Sequence, residues 1–207
     1  IDNSSQFRLN NNIPLVIPEI NFPRDMHSIY ANPNCSTIIL ACLLYPLHNQ
    51  CNIKRVVVST YQAASGAGKQ GLDELELQMQ QLVNQNELTK TYWNKQYVNN
   101  VFVHNSEICK NGYNKEELKM INEINKIFNN QFKITATCIR VPVIRSHCES
   151  VNIEFKNEIS YTEILNIIKY TSYLELKDDK IEMKFPESLT STNSNKVQIG
   201  HIRRDYS

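Results

Sequence analysis

No stretch of this 207-residue sequence approaches the roughly 20 consecutive apolar residues that a membrane-crossing helix needs. No leader of basic, apolar and small residues opens it either. An excess of one charge is also missing. The 22 Lys and Arg nearly balance the 21 Asp and Glu, a net of +1, so electrostatics favours neither nucleic acid nor acidic lipid as a partner. The six cysteines (35, 42, 51, 109, 138 and 148) form no CxxC pair, and no metal site is expected. They are too sparse for a disulfide scaffold, which makes a reducing cytoplasm the expected setting. A nucleotide-binding domain headed by the Gly-rich strand–turn–helix that seats a dinucleotide pyrophosphate is not expected; the Ser-Gly-Ala-Gly run at 65–68 follows a strand but is not read as that device. Internal repeats and a Pro/Gly linker are absent. The opening Ile1-Asp2-Asn3 reads as internal to a fold, so the chain is expected to be a piece of a longer protein.

What is present is the composition of a globular domain, 41% hydrophobic, enough for a core in one large or two small domains. Residues 12–20 read as extended and proline-limited. Asn34 is a good N-cap for an apolar helix that opens at Cys35 and that Pro46 should stop. Arg55 to Gln62 reads as a strand. Leu72, Leu75, Met79, Leu82 and Val83 form an apolar helical stripe. Val101 to Val103 suggests a short strand inside a non-periodic Asn/Tyr-rich segment. Asn114 and Glu117 form a capping box for a helix burying Met120, Ile121, Ile124, Ile127 and Phe128. Strands are expected at about 134–143 and 150–155. A second capping box, Ser160 with Glu163, starts a helix with Ile164, Ile167 and Ile168 inside. A loop at 188–196 and a last strand from Val197 to Arg204 follow. The order implies a single α+β body with a mixed or antiparallel sheet.

Several residues could carry chemistry. Cys35, in a helix's first turn, faces free N–H groups that lower a thiol's pKa; equally, it could be a small buried hydrophobe. Gln62 ends a strand beside Ser65 and Gly66, where a backbone can approach a ligand closely. Glu116 and Lys119 share a helix face, as a solvated ion pair would. Arg140 lies in an apolar strand, so its side chain should leave the core toward a partner. A guanidinium fork matches a carboxylate. His147, just past that strand, could serve as acid–base or be a surface histidine. His27, His48, His104 and His201 read as surface histidines.

Three segments carry a resemblance: Asn-Pro-Asn-Cys-Ser-Thr at 32–37, the run from Val56 to Lys69 containing Ser-Thr-Tyr-Gln-Ala-Ala-Ser-Gly-Ala-Gly, and Arg-Val-Pro-Val-Ile-Arg-Ser-His at 140–147. Together they resemble the aspartate-semialdehyde dehydrogenases. The resemblance implies NADPH-dependent conversion of β-aspartyl phosphate to aspartate β-semialdehyde and phosphate, in the lysine, threonine, methionine and diaminopimelate branch. It implies a thioester on Cys35, proton handling by His147, and substrate contacts from Gln62, Glu116 and Arg140. Phosphate falls to Arg8 and Lys119, and NADP to Ser65 and Gly66. The implied fold is the catalytic C-terminal domain of the glyceraldehyde-3-phosphate-dehydrogenase type, functioning as a homodimer. Residues 1–207 would be the catalytic and dimerisation domain, with 1–34 leading in from a nucleotide-binding domain; alone it should be inactive. A rival is N-acetyl-γ-glutamyl-phosphate reductase, which lacks the Ser-Thr-Tyr-Gln run and has no free amino group for Glu116. A non-catalytic dimerisation relative is the other.

Overall fold

A computed structural model describes residues 1–206. In chain order it contains α1 (Pro18–Asn21), α2 (Cys35–Cys51), β1 (Ile53–Gln62), a 3₁₀ turn (Ala64–Ala67), α3 (Gly68–Val83), β2 (Phe102–Val103) and α4 (Lys115–Ile127). Then come β3 (Lys133–Arg140), β4 (Cys148–Phe155), α5 (Tyr161–Tyr170), β5 (Leu174–Leu176), α6 (Ser188–Ser191) and β6 (Val197–Ile199). Among the described residues no helix is long and apolar enough to cross a membrane.

The main sheet runs β2-β3-β1-β4 and is mixed, as the α+β expectation had it. β1 pairs in parallel with β3 and antiparallel with β4, and β2 antiparallel with β3. Along β1 every second side chain from Val56 to Gln62 is buried, the period-2 signature of a strand with one face on the core. Val56, Val58 and Ala136 share that core with Leu40, Leu44 and Leu47 of α2 and Met120 and Ile124 of α4. A smaller cluster of Leu75, Trp93, Tyr97 and Val98 sits where the non-periodic segment packs on α3. β5 and β6 form a separate parallel pair.

Pro46 does not stop α2, which continues to Cys51 with Pro46 inside. The missing N–H costs about 3 kcal/mol in a helix interior, but Leu44 and Leu47 are buried at roughly 1.5–3 kcal/mol each. The far end is also sealed. Asn52 takes a left-handed backbone and donates its N–H to the His48 carbonyl, while His48 Nδ1 accepts the Ile53 N–H at 3.1 Å. His48 is therefore buried, not a surface histidine.

The stripe on α3 is different from the one expected, since Leu82 and Val83 are exposed. Buried instead are Glu74 and Gln78, because the irregular segment after α3 leaves backbone donors that need partners. Glu74 accepts the N–H groups of Tyr92 and Trp93, and Gln78 Oε1 those of Tyr97 and Val98.

Both capping boxes are present. β3 ends at Arg140 instead of 143, because Val143 N–H turns back to the Val141 carbonyl. The 188–196 loop contains α6, and Pro18–Asn21 is helical. The last strand closes at Ile199. Gly200 packs so tightly that a Cβ there would meet the Lys177 carbonyl oxygen at 1.8 Å, and His201 has φ 54°, which no strand accommodates.

Candidate active site

The parallel register places Gln62 opposite Arg140 at the C-terminal ends of β1 and β3. Ligands commonly bind at the carboxyl ends of parallel strands. Tyr61 faces Cys148 on the other side of β1, so His147 enters beside Gln62. The Ala63 N–H donates to His147 Nδ1 at 2.9 Å. A neutral imidazole with that nitrogen accepting carries its proton on Nε2.

Asn34 fixes the start of α2. Its side chain accepts the N–H groups of Ser36 and Thr37 at 3.0 and 3.4 Å, and its own donors are held by α4. Asn34 N–H goes to Glu123 Oε2 at 2.6 Å, and Nδ2 to Glu116 Oε1 at 2.7 Å. Cys35 is thus pinned in the first turn of α2 against two carboxylates of the neighbouring helix. Glu123 Oε1 also accepts from Arg8 Nη1 at 3.0 Å, a buried ion pair. Gln62 Nε2 donates to Ser36 Oγ at 2.8 Å, and Lys119 Nζ to Glu116 Oε2 at 3.2 Å.

These elements enclose one cavity of about 350 Å³. Cys35, Gln62, Arg140 and His147 line it, together with Arg8, Gly66, Glu116 and Lys119. Of the residues singled out from sequence, Ser65 is not in the wall; it turns away in the 3₁₀ segment with its N–H on the Ile144 carbonyl. Gly66 is required where it stands. A Cβ there would come within 2.8 Å of His147 Nε2 and 3.3 Å of Arg140 Nη1.

Arg140 is buried, yet its guanidinium is well supplied. Nη1 donates to the Ala63 carbonyl at 3.1 Å, Nη2 to His104 Nε2 at 2.7 Å, and Nε reaches Asn105 Oδ1 at 3.5 Å. The group also lies over the Trp93 ring at 5.5 Å, a cation–π contact. A guanidinium has five N–H donors; these three contacts leave one on each terminal nitrogen, the pair a carboxylate takes. His104 is therefore a buried member of the site, not a surface histidine. The short strand β2 just before it lies beside β3, and the His104 N–H bonds the Cys138 carbonyl at 2.8 Å, a pairing that no local pattern announces.

Electrostatics corrects two expectations. Cys35 is exposed on the open floor of the cavity, but protein crowds the thiol on several sides. Burial and the Glu116 carboxylate push its pKa up; the Ser36 N–H, Arg140 and the Ser36 hydroxyl pull down without prevailing. A helix N-terminus does not suffice for a free thiolate when a carboxylate faces it. His147 does not sit near neutrality either, since burial and Arg140 lower it to about 4. Glu116 is pushed up by burial, but His104, the Asn34 amide and Lys119 outweigh this and hold it below its ordinary value.

The arrangement offers a nucleophilic sulfur, a neutral N–H donor, a free guanidinium fork and a carboxylate around a space the size of a small metabolite. Known proteins resemble the chain that carries it. The model of the semialdehyde dehydrogenase dimerisation domain matches residues 44–207. An aspartate-semialdehyde dehydrogenase of Prochlorococcus marinus is 43% identical over 211 residues, covering 100% of this chain and 61% of that protein. The structure of aspartate semialdehyde dehydrogenase II from Vibrio cholerae complexed with ASA superimposes with a TM-score of 0.92 at 35% identity, over 99% of this chain and 62% of the other. A Candida albicans aspartate semialdehyde dehydrogenase solved with NADP shares the fold at TM-score 0.70 and 19% identity, over 98% of this chain and 61% of that one. The chain spans about three fifths of the length of these relatives.

Proposed function

The chain belongs to the semialdehyde dehydrogenase family, and on that premise we propose that it carries the catalytic and dimerisation machinery of an enzyme converting β-aspartyl phosphate to aspartate β-semialdehyde. The observation that supports this most is the convergence of Cys35, Arg140 and His147 on one cavity. In this reading the two free Arg140 N–H groups take the α-carboxylate and Glu116 takes the α-ammonium, holding the acyl carbon near sulfur. Substrate binding also assists the nucleophile, because an ammonium on Glu116 offsets the carboxylate that otherwise raises the Cys35 pKa.

Attack by the Cys35 thiolate forms the S–C bond, and the C–O bond to phosphorus breaks. Phosphate leaves beside Arg8 and Lys119. The His147 Nε2–H donates a hydrogen bond to the oxyanion that develops on the reacting carbon. Gln62 holds the Ser36 hydroxyl and presents its amide to the substrate. When bound, NADPH supplies the hydride that takes the thioester to the aldehyde. Ser65 and Gly66 would hold its nicotinamide end. The aldehyde would feed the lysine, threonine, methionine and diaminopimelate branch, from a homodimer in the cytoplasm.

The test runs the reaction backwards: phosphate-dependent NADPH formation from aspartate β-semialdehyde by the intact protein. Cys35→Ala should lower it by about 10³-fold or more with the circular dichroism spectrum unchanged. Undiminished NADPH formation by that variant would end the proposal.

A further inference from the structure

His104 takes no part in the steps above, yet it is buried and has partners at both ring nitrogens. Donors face both ring nitrogens: Arg140 Nη2 lies 2.7 Å from Nε2 and the Ser106 N–H points at Nδ1 from 3.2 Å. The shorter contact, from the charged donor, makes Nε2 the acceptor, so the ring proton lies on Nδ1. There it meets Ser106 Oγ at 3.1 Å. That hydroxyl lies 3.3 Å from Asn114 Oδ1 and accepts the Glu116 N–H at 3.1 Å. Asn114 is the N-cap of α4, and Glu116 lies in its first turn. An unbroken path of hydrogen bonds thus joins the guanidinium at the end of β3 to the turn that carries the carboxylate.

We propose that His104, as a neutral Nδ1–H imidazole, is a positioning residue that fixes the Arg140 fork and sets its distance from Glu116, selecting substrates that carry a carboxylate and an ammonium on one carbon. The proposal rests on the functional reading above for the identity of the substrate, but not for the geometry. Several charged or titratable groups act on the imidazole. Burial and Arg140 push its pKa down to about 4, with Lys119 and His147 acting in the same direction and Glu116 opposing them. A positive ring would point a second donor at Nη2, so neutrality is a condition of the contact.

Occupying one Nη2 proton leaves the other for the ligand. Without His104 the guanidinium keeps its charge but loses one of its three polar anchors, so the fork should bind less well while the chemistry at sulfur is unaffected. His104→Leu should raise KM for aspartate β-semialdehyde about 10-fold or more with kcat within about 3-fold of wild type. His104→Gln, whose carbonyl can accept from Nη2 and whose amide can donate to Ser106, should restore most of the loss. An unchanged KM in His104→Leu, or a fall in kcat alone, would overturn the proposal. Should His104→Leu fail to fold, the His104→Gln kinetics and the ring spectrum decide. The second readout needs no activity: long-range ¹H–¹⁵N correlation spectra of the wild-type histidine rings at neutral pH. An Nδ1–H tautomer for His104 is expected, and an Nε2–H tautomer or an imidazolium would refute the assignment. Were the wild type to reduce no acyl phosphate, the functional reading would fall while the spectrum still judged the role of His104.

Discussion

Gln62 and Arg140 stand opposite each other in the parallel β1–β3 pair, each the last residue of its strand. Their side chains leave the sheet on the buried face at the level where α2 begins, so one register position brings an amide and a guanidinium to the floor of the cavity. Sliding β3 by one residue would turn Arg140 to the opposite face. The sheet is therefore the ruler of the site, and the apolar row Val56, Val58 and Ala136 behind it sets that register.

Arg140→Lys follows from this. The ammonium keeps the charge but cannot serve the Ala63 carbonyl, His104 and a carboxylate with the geometry of a fork. We expect kcat/KM to fall about 100-fold, mostly through KM. Steady-state kinetics checks it, and a change confined to kcat would place the guanidinium in a different role.

Gly66→Ala is a steric test. The added Cβ would lie 2.8 Å from His147 Nε2, closer than a real methyl group tolerates, and the imidazole tip is what can move. Because His147 is displaced and not the core, kcat should drop about 10-fold or more while Tm changes by only a few degrees. A large loss of Tm with kcat preserved would show that the 3₁₀ turn yields instead of the imidazole.

Much of this was legible in the sequence, and the failures have physical causes. Strands with one buried face, the capping boxes at Asn114 and Ser160, and the strand end at Gln62 are local, and local rules find them. Pro46 was misread because its cost is local but its compensation, burial of Leu44 and Leu47, comes from tertiary packing. Leu82 and Val83 were misread because the inner face of α3 was given to Glu74 and Gln78, whose partners lie 11–20 residues further on. His104 was missed because its meaning comes from a strand pairing with β3, where Phe102 faces Arg140. Cys35 was placed correctly at a helix start, but its ionisation depends on Glu116, 81 residues away in sequence. Among the residues singled out, Ser65 alone does not reach the cavity wall.

NADPH should bind this 207-residue chain weakly, with Kd in about the millimolar range or above. Its pyrophosphate carries most of the anchoring charge, and the Gly-rich turn ahead of α3 packs on the cavity and the core instead: a Cβ at Gly66 would meet His147 at 2.8 Å and one at Gly71 would meet Trp93 at 2.8 Å. Isothermal titration measures this directly, and a micromolar Kd would mean that a phosphate site has been overlooked.

The pH dependence of stability brings two buried histidines against one buried carboxyl. His104 and His147 both titrate at about 4 in the folded protein and at about 6.5 when unfolded. Between those values the unfolded chain binds protons that the native state refuses, so stability falls as pH drops, by up to about 3 kcal/mol for each ring. Glu149 acts with the opposite sign. Its residue is only partly covered, but both carboxylate oxygens are buried without a hydrogen-bond partner among the described residues, and burial raises its pKa well above 4.5. Above pH 4.5 the unfolded chain releases a proton that folded Glu149 retains, so this group costs stability as pH rises toward its folded pKa. From 4.5 to 6.5 the two histidines outweigh the one carboxyl; above that window Glu149 acts alone. Stability should therefore peak near neutrality and decline on both sides. Glu149→Gln, which cannot ionise, should leave Tm near the wild-type value at pH 5 and raise it by several degrees at pH 8. Equal shifts at both pH values would mean that the carboxyl is not held protonated, and that its neighbours, Thr60 across the strand and Cys138 beyond it, supply a charge-stabilising environment instead.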